Sequence, residues 1–337
     1  MPSLNDLRTA LTRAMLEPLP KKHSQSDLAK FYTLIRNYPE RQGKQLRGLF
    51  VLLAAEAHGG DWQDALPVAA ALELFQNWVL IHDDIVDDSE ERRGEPALHK
   101  QVGMPLALNV GDALHVYMWQ VLHGISSELP RDAILLEFTT MIHRTAEGQH
   151  LDLTWVEENR FDISEADYLE MVTLKTAFYT VVSPLNLGAL CAGCVPAPAF
   201  VEIGKTLGAA FQIRDDVLNL TPPKVEDSGY GKEFAGDLYE AKRTLILAHL
   251  FAHATEDEQA EVAERLSKPR GARTSEDVQR VLKLIDGYGS LEYAQSIAEQ
   301  KAAAGLKQLS EVFAGLANQL AARKLSGLLE SLASRTA

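Results

Sequence analysis

Two acid-rich segments, each introduced by an apolar run, carry the chemistry this chain could perform. They are Leu80-Ile81-His82-Asp83-Asp84-Ile85-Val86-Asp87-Asp88 and Phe211-Gln212-Ile213-Arg214-Asp215-Asp216-Val217-Leu218-Asn219. At 3.6 residues per turn, positions i and i+4 differ by only about 40° around a helix axis. Asp83 and Asp87 therefore share one face, as do Asp215 and Asn219. Two oxygen-rich faces meeting across a helical cavity could hold hard divalent cations. Acids at the ends of apolar helices are costly to leave unneutralised, so positive charge belongs between them. A solitary acidic string is more often a solvated helix end. Its recurrence after a second apolar stretch, with the basic pair Arg92-Arg93 behind the first, points instead to a metal–diphosphate site.

Further cations punctuate the acids. Arg41-Gln42-Gly43-Lys44-Gln45-Leu46-Arg47-Gly48 reads as a helix start with Lys44 and Arg47 on one side. Lys232, Lys242 and Arg243 follow the second segment. Arginine offers phosphate oxygens a planar fork of donors, and lysine a compact charge. His82 is expected on the neighbouring helix face, packing or hydrogen bonding, and stands outside the catalytic set.

The elements that must position these groups are helical. Apolar residues recur at three- and four-residue spacing through Ala65 to Val86, Pro105 to Leu122, Arg131 to Leu153, Glu165 to Leu190 and Val201 to Leu220. Gly and Pro clusters separate them. Lys268 to Glu276 reads as a polar loop, and Val278 to Leu332 as two amphipathic helices. β alternation is absent and no short repeat recurs. The expectation is an all-α chain forming one domain over residues 1–337.

Hydrophobic residues make up 46% of the 337, enough for a large core, and the net charge of −14 argues against nucleic acid as a partner. No apolar run is expected to span a bilayer and no signal-peptide core is evident, so a cytoplasmic protein is expected. The two cysteines, Cys191 and Cys194, lie in a small-residue apolar stretch with no second ligand pair at zinc spacing, so they are read as packing residues.

From about Arg36 to Leu250 these ordered motifs resemble the trans-isoprenyl diphosphate synthases, or polyprenyl synthetases. Gly43-Lys44 with Arg47 is similar to that family's isopentenyl diphosphate grip, with Gln76 and Arg93 completing it. His82-Asp83-Asp84-Ile85-Val86-Asp87 with Arg92-Arg93-Gly94 resembles its first aspartate-rich motif. Gly148-Gln149, Asp152, Lys175-Thr176 and Phe211-Gln212 resemble further active-site signatures. The family's second motif ends in Asp where this chain has Asn219, an amide that accepts a hydrogen bond without adding charge.

The resemblance implies an isoprenoid synthase type I helical bundle around a central cavity, assembled as a homodimer. It implies Mg²⁺, with Mn²⁺ as a substitute, held by Asp83, Asp87 and Asp215. Arg92 and Lys232 would bind the allylic diphosphate, and Lys242 would be a further substrate-binding residue. Lys44, Arg47, Gln76 and Arg93 would bind isopentenyl diphosphate. Oxygens at Lys175, Thr176 and Gln212 would stabilise the developing allylic cation, and Gln149 would bind substrate. Bulk four and five residues before the first Asp limits chain growth in the family. Trp78 is bulky and Val79 is not, which implies geranylgeranyl diphosphate as product, with farnesyl or longer chains as the alternative. A terpene cyclase would not need the isopentenyl grip. A di-iron bundle would need Glu-x-x-His pairs, and a non-catalytic subunit would have lost acids that this chain keeps.

Overall fold

The structure, a computed structural model, describes residues 2–41, 43–222 and 234–334. In chain order the helices are α1 (Leu4–Leu16), α2 (Ser26–Glu40), α3 (Leu46–Ala57), α4 (Trp62–Val86), α5 (Leu98–Val102), α6 (Met104–His123), α7 (Arg131–Glu157) and α8 (Glu165–Val172). A π-helix, Thr173–Val182, leads into α9 (Ser183–Cys191) and α10 (Ala199–Asn219). Then come α11 (Gly236–Tyr239), α12 (Leu245–His253), α13 (Glu256–Leu266), α14 (Ser275–Gly287), α15 (Ser290–Phe313) and α16 (Gln319–Ala333). The sheet among the described residues is one short hairpin, β1 (Glu91–Arg92) and β2 (Glu95–Pro96).

The all-α expectation is met. Boundaries differ where the chain changes bonding pattern. Glu165 to Leu190, read as one α-helix from its periodicity, is α8, the π-helix and α9 in succession. Val278 to Leu332, read as two helices, belongs to three. Gly289 takes a positive φ of 63° to break α14 from α15, and the Asn318 carboxamide accepts the amides of Leu320 and Ala321 to start α16. The 268–276 loop includes one 3₁₀ turn, Arg270–Ala272.

The chain forms two compact units. One is built from Met1–Thr139, Ser183–Phe200 and Glu311–Leu328, the other from Thr140–Val182, Val201–Ser310 and Leu329–Ala337. In the first, α3 is apolar nearly all round and fully buried from Gly48 to Ala55, the mark of a central core helix. It packs on α4 and α9, while α4 packs most extensively on α6. In the second, Tyr168, Val172, Ile213, Leu245, Val281 and Ala294 anchor the core.

One expectation is corrected here. α4, at 25 residues, is long and apolar enough by composition to cross a membrane, but 67% of its most apolar window is buried inside the protein, as for a core helix. Asp61 starts it by accepting the Gln63 amide, and its last turn delivers Asp83 and Asp84.

Candidate active site

In the first unit the four aspartates that end α4 divide by direction. Asp84 is fully buried and bound along one edge of the Arg92 guanidinium, with Nε 2.9 and 3.1 Å from its two oxygens and an Nη2 contact besides. The Tyr38 hydroxyl donates to its other side at 2.5 Å and accepts the Leu98 amide at 3.1 Å. Burial and then the Asp84 carboxylate raise the Tyr38 phenol well above its ordinary range. Asp88 pairs with His99 at 3.3 Å and Lys100 at 2.7 Å. Asp83 and Asp87 stay partly exposed one turn apart, Asp87 capping α4 through its N–H to the Asp83 carbonyl at 2.8 Å. Removing the Tyr38 hydroxyl strips a charged acceptor of a donor, worth about 1.5–3 kcal/mol. Tyr38→Phe should therefore lower the melting temperature without changing the divalent-metal requirement.

The β1–β2 hairpin turns through Arg93 and Gly94 with φ of 55° and 76°, the paired positive angles of a two-residue turn that follows strand twist. Arg41 fastens the hairpin, donating to the carbonyls of Arg92 at 2.9 Å and Pro96 at 3.0 Å. The left-handed conformation of Arg93 costs energy, and what it gains is placement. Its guanidinium donates to the Tyr38 carbonyl (2.8 Å) and Asn77 Oδ1 (3.2 Å) and lies over Gly43, where any Cβ would come within 2.8 Å of Nη2.

Beneath this cation sits Glu73, buried and accepting the Gly48 amide at 2.8 Å. Burial pushes its carboxyl upward, opposed by that amide and by the charges of Arg47 and Arg93. Gln76, 7% exposed, keeps a buried Oε1 with no hydrogen-bond partner among the described residues. Arg47 and Arg93 thus both bear on Glu73, and Gln76 follows Glu73 by one turn of α4. Lys44 is exposed and precedes the helix: α3 starts at Leu46 after a left-handed Gln45, so Lys44 and Arg47 do not share a helical face as read from the sequence.

Trp78 is half-buried. Its ring stacks on His115 at 4.1 Å and 15° and meets Phe75 and His82 edge-on. His115 Nε2 accepts the Trp119 indole N–H at 2.8 Å, which fixes its orientation. His82 Nε2 lies 3.4 Å from the Leu108 carbonyl and 3.7 Å from Asp112, on α6. Val79 is half-buried beside Trp78.

In the second unit, Lys175 pairs with Asp152 at 2.5 Å, one turn along α7 from the half-buried Gln149. Gly148 permits this: a Cβ there would stand 2.2 Å from the Lys175 amide nitrogen. The Thr176 hydroxyl donates to Gln212 Oε1 at 3.1 Å, and Gln212 Nε2 donates to Asp216 at 2.8 Å. The Tyr168 hydroxyl reaches the other Asp216 oxygen at 2.7 Å. Burial, then the Asp237 charge, raises the Asp216 carboxyl well above its usual range. Asp152, Thr176, Asp215, Asp237 and Lys242 line the same small cavity, of about 50 Å³. Lys242 pairs with Glu240 at 2.7 Å. Lys232 lies outside the described residues. A larger hollow of about 390 Å³ elsewhere in this unit is walled by Phe161, Phe251, His249 and Tyr293, away from the acids.

The structure thus brings Arg47 and Arg93 together around Glu73, one turn of α4 from Gln76, in one unit, and Lys175, Thr176, Gln212 and Asp215 in the other. Tyr38, Glu73, Asn77 and Tyr168 escaped the sequence reading. Each is a buried polar side chain serving a residue far away in sequence, and local pattern carries no sign of it.

The chain matches the polyprenyl synthetase family over residues 29–285. It belongs to that family. The short chain isoprenyl diphosphate synthase of Methanothermobacter thermautotrophicus is 36% identical over 259 residues, covering 76% of each chain. The geranylgeranyl diphosphate synthase of Sulfolobus acidocaldarius is 33% identical over 297 residues, 87% of each. Among solved structures, the geranylgeranyl pyrophosphate synthase of Corynebacterium glutamicum, complexed with isoprenyl diphosphate and magnesium, superposes with a TM-score of 0.82 at 27% identity and covers 98% of both chains. The fold is that of the type I isoprenoid synthases, and the polyprenyl synthetase is an enzyme of prenyl transfer.

Proposed function

We propose that this polyprenyl synthetase condenses isopentenyl diphosphate head-to-tail with allylic diphosphates and releases mainly geranylgeranyl diphosphate. The observation that carries the reading is in the first unit. There α4 ends at Asp83 and Asp87, while Arg93, lying over Gly43, and Arg47 both bear on Glu73 one turn before the unpartnered Gln76 Oε1. Two diphosphate-type sites suit a coupling enzyme, whereas a terpene cyclase needs one. Incubation with labelled isopentenyl diphosphate and each short allylic primer, with products resolved by mass, tests it. Chain growth to geranylgeranyl diphosphate is expected, and a cyclic hydrocarbon would overturn the reading.

The donor set suits Mg²⁺. Among the described residues no three His, Cys, Asp or Glu side chains gather to hold an ion alone. Mg²⁺ is typically bound through one or two carboxylates plus substrate phosphate and water; Asp83 and Asp87 would provide the carboxylates in the first unit and Asp215 in the second. When bound, Mg²⁺ supplies Lewis-acid neutralisation of the departing diphosphate, and Mn²⁺ would substitute.

The chain's own groups do the rest. Arg92, with one guanidinium edge committed to Asp84, would bring positive charge to the allylic diphosphate. The Thr176 hydroxyl and Gln212 carbonyl, already hydrogen-bonded to each other beside Lys175, set oxygen dipoles toward the developing allylic cation without capturing it. Isopentenyl diphosphate, gripped by Lys44, Arg47, Gln76 and Arg93, attacks through its double bond. The released diphosphate accepts the final proton. Arg47→Ala should raise the apparent KM for isopentenyl diphosphate roughly 10–100-fold, the value of one charge-assisted hydrogen bond, and barely move that for the primer. Equal effects on both would mean the pockets are misassigned.

A homodimer belongs to this proposal, supported by Met104, Leu106, Leu108 and Val116 exposed along α6. So does the single-domain reading of residues 1–337, since each unit draws on segments separated in sequence. Free thiols at Cys191 and Cys194 support a cytoplasmic setting.

A further inference from the structure

The second acidic motif ends in an amide, and the amide has a definite task. Asn219 closes α10 and is 3% exposed. Its Oδ1 accepts the backbone N–H of Asp237 at 3.0 Å, and its own carbonyl accepts the N–H of Ala235 at 2.8 Å. Those amides open α11, whose N-cap residue, Ala235, has no side chain able to cap it. An uncapped helix start leaves orphan donors, which Ser, Thr, Asp or Asn at the cap would normally satisfy. Here the cap arrives from α10, eighteen residues earlier in the chain. Ala235 is moreover held at a φ of 57°, a left-handed conformation that a non-glycine residue keeps only when its surroundings enforce it.

What the clamp fixes is the Asp237 carboxylate. Asp237 is 8% exposed and lines the small cavity with Asp152, Asp215 and Asp216. It lies near enough to Asp216 to add to the upward push of burial on that carboxyl. Lys242 approaches from the other side, its Nζ 3.8 Å from Asp237 and its backbone N–H donating to the Asp237 carbonyl at 2.9 Å.

We propose that Asn219 is a positioning residue, whose amide oxygen pins the turn at 235–237 so that the Asp237 carboxylate stands in for the acid missing from the second motif. The functional half of this inference rests on the metal–diphosphate reading above, while the structural half does not. A carboxylate at 219 would also accept the Asp237 N–H. An apolar side chain would leave that donor unsatisfied in a buried place and let α11 drift.

Hydrogen exchange followed by mass spectrometry on the intact protein tests the clamp without substrate or metal. Asn219→Ala should speed exchange at residues 235–239 at least tenfold, and Asn219→Asp should restore protection. Calorimetry with inorganic pyrophosphate and Mg²⁺ tests the consequence. Asn219→Ala and Asp237→Asn should each weaken binding about tenfold, Asn219→Asp should bind within a few-fold of the parent, and Asp237→Asn should leave exchange unchanged. Unaltered exchange in Asn219→Ala overturns the clamp. Parent-like binding by Asp237→Asn overturns the substitute carboxylate. A parent protein that fails to bind Mg²⁺–pyrophosphate refutes the diphosphate reading, and with it the carboxylate's task, leaving the clamp to stand or fall by exchange.

Discussion

Replacing Asp83 with alanine should lower turnover roughly 10²–10³-fold, the loss that follows when one preorganised electrostatic partner of a developing charge is removed. The helical circular dichroism should be unchanged, because Asp83 is partly exposed and packs no core. A chelator should abolish the activity of the parent enzyme, and added Mg²⁺ should restore it. The informative control is the next residue. Asp84 is fully buried against Arg92 and Tyr38, so Asp84→Ala should act on stability, by about 3–5 kcal/mol for a broken buried ion pair, and lower the melting temperature steeply. Adjacent aspartates should thus give opposite phenotypes. Near-normal turnover in Asp83→Ala would remove the first motif from the chemistry.

Trp78→Ala should change what the enzyme makes. The growing hydrocarbon is proposed to run along α4 away from the acids, and Trp78 lies five residues before Asp83, about 7.5 Å down the axis. Its ring is held by the His115 stack, itself anchored by the Trp119 indole, so the block is a braced wall of three rings on two helices. Taking away Trp78 should extend the main product beyond geranylgeranyl diphosphate, as read by liquid chromatography and mass spectrometry. Filling the neighbouring half-buried position, Val79→Phe, should shorten it toward farnesyl diphosphate. An active Trp78→Ala enzyme with an unchanged product distribution would place the floor elsewhere, with α6 the first helix to search.

Much of this was written in short-range pattern. The five-helix periodicity and its Gly and Pro breaks located the ends of α4, α6, α7 and α10 to within four residues, and the i, i+4 rule separated Asp83 and Asp87 from Asp84. What each remaining aspartate touches was not legible. Asp84 meets Tyr38, and Asp216 meets Tyr168, across intervals of 46 and 48 residues that no local window contains. Nor could spacing tell that Arg92 spends an edge of its fork on Asp84, or that Asn219 faces a backbone amide. The π-helix escaped because its period differs too little from that of an α-helix to show over ten residues.

That π-helix has an evolutionary consequence. An i→i+5 segment inside an α-helix is what results when one residue is inserted and the flanking turns refuse to unwind, and such segments gather at functional sites. Thr173–Val182 carries both Lys175 and Thr176, opposite Asp152 and Gln212. Deleting a single residue from it would let the segment relax to α-helical bonding with the flanking turns still in register, and the side chains within it, Lys175 and Thr176 among them, would lose the placement the wide turn gives them. The length of this segment is therefore constrained along with Lys175 and Thr176. Among relatives, gaps should fall in the loops on either side and spare this stretch.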